Sequence, residues 1–241
     1  SVRNYMMVEY LKPGDEQEIN KFGLGTFVVR FEMPTNFIDD INKMYDDAKN
    51  LPKHNKNLAG KIKDEFSIND ILTEEMKNCF LICFRQYLKV VQKPLWQCRL
   101  AGAWINDMKA GEYNPFHFHQ SSLSYLGLSS VLVLKRPSTY GEEYSRQDIP
   151  SNGWLEFSGG QQDPLSVSQL RLDAQVGSLF IFPYTLLHGV YPFNGTEEIR
   201  RTLSYNCDLF TEYQHQVNTI AEREEWPLTE IIPEKSGGSW K

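Results

Sequence analysis

Residues 177–195 read GSLFIFPYTLLHGVYPFNG. The apolar run from Leu179 to Phe182 has strand length and ends on Pro183. A second short β run starts at His188, with only a turn between the two. Runs of the same kind surround this one: LWQCRLAGAWIND at 95–107, SYLGLSSVLVLKRP at 124–137, GWLEFSG at 153–159, LRLDA at 170–174 and RRTLSYNCDLF at 200–210, each bounded by Gly, Pro, Asn or Ser. Six or more closely spaced strands without intervening helices predict a sandwich or barrel.

The first third of the chain differs. GLGTFVVRFE at 23–32 predicts a strand that stops before Pro34. From Thr35 or Asn36 as cap, Phe37, Ile41, Met44, Tyr45 and Ala48 recur at helical intervals through residue 51. Residues 50–66 are polar and interrupted by Pro52 and Gly60, which predicts a loop. A second helix is expected over 69–91, where Leu72, Met76, Cys79, Phe80, Cys83, Phe84 and Leu88 form one stripe. The expected organisation of 1–241 is a single domain, with an N-terminal strand and buttressing helices over 1–94, a β core over 95–211 and a C-terminal extension over 212–241. The stretch 136–152 predicts a long hairpin loop, and with 50–66 it is a candidate lid.

Composition narrows the function. The chain has 241 residues, a net charge of −6, 41% hydrophobic and 23% charged residues, the profile of a folded globular protein with no electrostatic case for nucleic acid. No run approaches eighteen apolar residues, and SVRNYMMVEYLKPGDE lacks the layout of a secretory signal, so a cytoplasmic protein with no membrane partner is expected. Cys79, Cys83, Cys98 and Cys207 form no CxxC pair and read as reduced packing residues. No heptad or exposed apolar run sets an oligomeric state.

The chemistry lies in NPFHFHQ, residues 114–120, which holds two of the five histidines. In an extended segment residues i and i+2 face one side, so His117 and His119 present both imidazoles to one space. That is metal-ligand spacing, and it asks for a third group. His54 and His215 sit among polar residues, whereas His188 follows an apolar strand and a turn and is the natural third member. In IRRTLSYN, Arg200, Thr202, Ser204 and Asn206 share one face, and Ile199, Arg201, Leu203 and Tyr205 the other. The first face is polar and headed by an arginine, as expected of a strand that looks into a ligand cavity.

His117-Phe118-His119, Phe182-Pro183 followed by His188, and Arg200 through Asn206, preceded by Trp104-Ile105-Asn106, together resemble the Fe(II)- and 2-oxoglutarate-dependent dioxygenases, in particular a branch with an HxH element. The resemblance covers about 95–210. It implies a mainly β protein with flanking helices around a double-stranded β-helix, that is, a cupin-like jelly roll. The implied reaction is oxidative decarboxylation of 2-oxoglutarate to succinate and CO2, coupled to hydroxylation of a C–H bond in a small-molecule or peptide substrate, with ascorbate as a candidate reductant. The implied metal ligands are His117, His119 and His188. Arg200 would receive the distal carboxylate of 2-oxoglutarate with a planar two-pronged donor, assisted by Thr202, and Ser204, Asn206 and Asn106 are further cosubstrate-binding candidates.

The family's usual set has a carboxylate where this chain has His119. Either His119 completes a three-histidine face, or an acidic residue such as Glu156 supplies the third ligand. An all-histidine face carries one negative charge fewer, which weakens Fe(II) retention. The choice of Arg200 over Arg201 rests on strand alternation and fails at a β-bulge. Trp104, Tyr113, Asn114 and Tyr125 are candidates for the cavity wall or for packing and turn capping. Two other functions fit parts of the pattern: a cupin-like metal- or sugar-binding module, and a three-histidine dioxygenase that does not use 2-oxoglutarate. Only the first reading gives Arg200 a necessary role.

Overall fold

The computed structural model describes residues 20–23, 26–54, 61–121, 126–144, 148–160 and 167–211. His215, Tyr125 and residues 212–241 lie outside the described residues, as do parts of both candidate lids.

In chain order the elements are β1 (Asn20–Gly23), β2 (Phe27–Glu32), α1 (Thr35–Asp47), β3 (Asp64–Ser67), α2 (Glu74–Val90), β4 (Gln97–Met108), β5 (Asn114–His117), β6 (Gly127–Lys135), β7 (Leu155–Ser158), β8 (Gln169–Leu172), β9 (Ser178–Pro183), β10 (Leu187–Val190) and β11 (Arg200–Phe210). They form a seven-stranded sheet, β1-β2-β9-β6-β11-β4-β3, and a four-stranded sheet, β5-β10-β7-β8. Every pairing is antiparallel. This is the jelly roll that the resemblance implies and a form of the sandwich expected from the spacing of the runs, with the helices added to one face.

Alternation along the central strands builds two cores. On β6 and β9, Leu128, Leu132, Leu134, Leu179 and Ile181 face α1 and α2 and pack with Ile38, Ile41, Phe80, Cys83 and Phe84. Val131, Val133, Phe180 and Phe182 face the other way and meet Leu155, Phe157 and Leu186 of the smaller sheet. A strand buried on both faces reads as a continuous apolar run, which is why LSSVLVL shows no polar alternation.

The helices start where local chemistry allows. Pro34, extended at φ −60 and ψ 145, precedes α1, and its carbonyl takes the first helical hydrogen bond from the Ile38 N–H at 3.2 Å. Thr35 is therefore the first helical residue rather than the cap, and the helix stops at Asp47, short of the expected 51. Thr73 caps α2 by accepting from the Met76 N–H at 3.2 Å, with Glu74 and Glu75 in the first turn facing the helix dipole. Leu72, the first residue of the expected stripe, lies in the turn before α2 and packs with Ile68 under the helix.

Two expectations need correction. The single strand over 23–32 is a pair, with Gly23 ending β1 and β2 running back from Phe27. The loop over 50–66 contains the start of β3, which pairs with β4 from Asp64↔Asp107 to Ser67↔Trp104. DEFS has one large apolar residue, Phe66, and an edge strand of this kind lacks a periodic signal. Among the described residues no helix is long and apolar enough to cross a membrane.

Glu65 of β3 is 1% exposed and directly opposite Asn106. Burial, and then the charge of Glu112, push its carboxyl up to about 7. A folded-state pKa raised above the unfolded value of 4.5 gives stability that is present below that value and lost as pH rises through 7. Glu65→Gln should therefore reduce the fall in unfolding free energy between acid and mildly alkaline pH by about 2–3 kcal/mol. Urea unfolding of the two proteins across that range checks this, and parallel stability curves would rule it out.

Candidate active site

His117 ends β5, His188 lies on β10, and the two are direct cross-strand partners. Residues in such a pair point to one side, and their ring centroids are 4.3 Å apart. His119 lies two residues beyond β5, on the same side as His117, with its backbone N–H donating to the Tyr184 carbonyl at 2.8 Å. Its ring is 5.1 Å from that of His117 and 5.0 Å from that of His188. One nitrogen from each ring lies within 4.8 Å of the others. β5 and β10 can approach this closely because residue 189 is glycine: a Cβ there would sit 2.9 Å from the Asn114 carbonyl oxygen.

Hydrogen bonds orient two of the rings. His117 Nδ1 is 2.8 Å from the Pro115 carbonyl and His188 Nδ1 is 2.9 Å from the Leu186 carbonyl. A carbonyl only accepts, so Nδ1 carries the proton in both and Nε2 keeps its lone pair. Nε2 of His119 and Nε2 of His188 are 3.2 Å apart. Two imidazole nitrogens each about 2.0–2.1 Å from one cation lie roughly 3 Å apart, so the spacing fits a shared ion. Burial depresses all three rings: His117 below the usual histidine range, His119 to about 3, and His188 well below it, the latter two further lowered by neighbouring histidines. Neutral imidazoles are the form that binds metal.

The opposite wall comes from β11 and β4. Arg200, Thr202 and Ser204 line the cavity with the three histidines, together with Trp104, Asn106 and Asn114. Arg200 is 2% exposed, and its Nη2 has no hydrogen-bond partner among the described residues. The Tyr140 side chain lies beside the guanidinium and favours its charged form. The Asn106 amide nitrogen donates to Ser204 Oγ at 3.4 Å and Thr202 Oγ1 at 3.5 Å, which ties these three side chains together.

Arg201 is turned away. It grips Asp107 with Nε at 2.6 Å and Nη2 at 2.9 Å, and donates from Nη1 to Asp46 at 2.8 Å and Asn42 at 3.1 Å. The register shift at Arg201/Thr202 is against β6; the pairing with β4 runs unbroken from Arg200 to Tyr205. Alternation therefore holds over the residues that matter.

Asn206 is not brought to the cavity. It sits at the register break between Tyr205 and Cys207, and its Oδ1 accepts from Ser129 Oγ at 2.5 Å. Glu156, the alternative carboxylate, faces the outside of the smaller sheet between its inward neighbours Leu155 and Phe157. There it accepts from Arg171 Nε at 2.5 Å and the Tyr191 hydroxyl at 2.6 Å. Tyr113 is 39% exposed and outside the lining, whereas Trp104 lines the cavity, 5.9 Å from the His119 ring and stacked on His54 at 5.0 Å. The sequence carried no signal for Tyr140, which comes from a polar loop without periodicity.

Residues 102–206 match the family model described as "Putative 2OG-Fe(II) oxygenase". Over these residues, from β4 through most of β11, the chain is similar to that family. The oxygenase fold is shared with solved structures at low identity. HygX from Streptomyces hygroscopicus, solved with nickel and 2-oxoglutarate bound, is 10% identical with a TM-score of 0.53 over 77% of this chain and 84% of its own. EvdO2 from Micromonospora carbonacea var. aurantiaca is 13% identical with a TM-score of 0.51 over 76% and 86%. A prolyl-4-hydroxylase from Pseudomonas putida is 15% identical with a TM-score of 0.47 over 76% and 92%. No curated protein matches the sequence.

The oxygenase family takes Fe(II) and 2-oxoglutarate, and the residues present suit both. Three neutral imidazoles on one side of a cavity can hold a divalent cation with positions left open, and a buried guanidinium nitrogen without a partner calls for an anion. Glu156→Gln should leave Co(II) affinity within about twofold, while the lost hydrogen bonds of a buried carboxylate reduce folding stability by about 1–3 kcal/mol. Anaerobic metal titration and urea unfolding measure the two effects. A large loss of metal affinity in a folded variant would return Glu156 to the ligand set.

Proposed function

We propose that His117, His119 and His188 hold Fe(II), and that Arg200 receives the distal carboxylate of 2-oxoglutarate. In this reading the enzyme hydroxylates a C–H bond of a small-molecule or peptide substrate and releases succinate and CO2. One observation carries it: the open Nη2 of Arg200 shares a cavity with three converging imidazoles. A cupin-like module without oxygen chemistry, or a three-histidine dioxygenase indifferent to 2-oxoglutarate, leaves that charge buried without a task.

Fe(II) in such a site supplies O2 activation coupled to decarboxylation of the keto acid. The chain's own residues do the rest. His117 and His188, fixed by Pro115 and Leu186, present Nε2 lone pairs without side-chain rearrangement. Arg200 gives the cosubstrate a two-pronged, permanently charged anchor, and the neighbouring Tyr140 favours that charge. Thr202 and Ser204, already gathered by Asn106, offer hydroxyls along the same wall. Val131, Leu155 and Val190 line the cavity with apolar surface that limits water beside the imidazoles. Residues 95–211 are the catalytic core in this reading. Four free cysteines suit a reducing, cytoplasmic setting, and ascorbate is the reductant that would keep iron in the ferrous state.

Purified protein given Fe(II), ascorbate and 2-oxoglutarate should release succinate, slowly without substrate. Arg200→Ala should raise the 2-oxoglutarate concentration for half-saturation by about 100-fold or more, since one partner of a buried charge pair is lost. Co(II) affinity should change by less than about threefold. Equal loss of both in a folded variant would remove Arg200 from the cosubstrate site.

A further inference from the structure

His119 is the one member of the trio with no strand beneath it. β5 ends at His117, so the ladder that fixes His117 against His188 does not extend to residue 119. Something else must set the position of that ring.

A hydrogen bond at His119 and another at Ser121 both lead to Asp208. The His119 N–H donates to the Tyr184 carbonyl at 2.8 Å, and the Tyr184 hydroxyl donates to Asp208 Oδ1 at 3.0 Å. Two residues further on, Ser121 Oγ donates to Asp208 Oδ2 at 3.1 Å, an oxygen that also accepts from Arg99 Nη2 at 3.1 Å. Asp208 is 1% exposed and directly opposite Arg99 on β4. A buried carboxylate with three donors is a rigid anchor, because each oxygen is fixed from more than its own strand.

Tyr184 is equally constrained. Its N–H donates to the Gly127 carbonyl at 2.9 Å, and its ring lies over that glycine: a Cβ at residue 127 would come within 1.9 Å of the ring. Burial, and then the Asp208 charge, raise its phenol far above the usual tyrosine range, so it remains a donor. The His119 and Tyr184 ring centroids are 6.3 Å apart. Neither Asp208 nor Tyr184 lines the cavity.

We propose that Asp208 is a positioning residue for metal binding, fixing the His119 imidazole through Tyr184 on one side and Ser121 on the other. This rests on the reading of His119 as a ligand. One strand then serves both ends of the site: β11 carries Arg200 toward the cosubstrate and, eight residues on, the anchor of the ligand that lacks a ladder. The arrangement also gives a role to an acid that is buried on β11.

The test uses the full chain loaded anaerobically with Co(II), read by affinity and by the hyperfine-shifted proton signals of the ligating imidazoles. Tyr184→Phe removes one hydroxyl and Ser121→Ala another, while Asp208→Asn changes the acceptor itself. Tyr184→Phe and Asp208→Asn should weaken Co(II) binding by about 10- to 100-fold. They should displace the His119 ring signals while those of His117 and His188 hold their shifts, a pattern that general loosening would not produce. If Asp208→Asn does not fold, Tyr184→Phe and Ser121→Ala decide alone. Affinity within twofold of the parent, or equal movement of all three sets of signals, overturns the proposal. His119→Ala is the control on the reading beneath it: unchanged Co(II) binding there removes His119 from the ligand set, a failure distinct from that of the anchor.

Discussion

Strand β11 faces two ways, and its two-residue period governs the molecule. Arg201, Leu203, Tyr205 and Cys207 point toward the helices, where Arg201 is held by Asp107 and Asp46 and the others join the larger core. Arg200, Thr202 and Ser204 point into the cavity. Two adjacent arginines thus meet opposite fates on geometric grounds: one has its charge matched inside the fold, and the other keeps a donor open. A shift of one residue would exchange them, parting Arg201 from Asp107 and Asp46 and turning Arg200 toward the helices.

Burial acts on the two ends of the cavity in complementary ways. It depresses the three histidines, so that they present lone pairs where a cation can sit. It also lowers the pKa of Arg200, but from so high a starting value that the guanidinium stays charged. The same low-dielectric setting therefore prepares a neutral donor set at one end and a positive group at the other. A dicarboxylate bridging the two satisfies both.

Much of this was legible in the chain. The β runs after Pro94 carry their own punctuation, the HxH spacing and the polar face of β11 follow from a period of two, and His188 stands out by following an apolar strand and a turn. Less was legible where structure depends on partners distant in sequence. DEFS forms a strand because β4 offers it an edge, not because of its own pattern. Asn206 fits the alternation of β11 on paper, yet the register break after Tyr205 leaves its amide on Ser129. Tyr140 and Asp208 matter through neighbours 60 and 24 residues away, Arg200 and Tyr184 respectively, and no local window contains such pairs.

Among the described residues β5 is the outermost strand of the smaller sheet, with β10 as its neighbour and two paired positions between them. Left to itself, a four-residue rim held from one side frays, and its amides exchange readily with solvent. A cation gripped by His117 and His188 would act as a staple across that seam, so metal occupancy and the integrity of the rim are thermodynamically linked. Loading the centre would then tighten that border of the smaller sheet, and emptying it would let the border loosen.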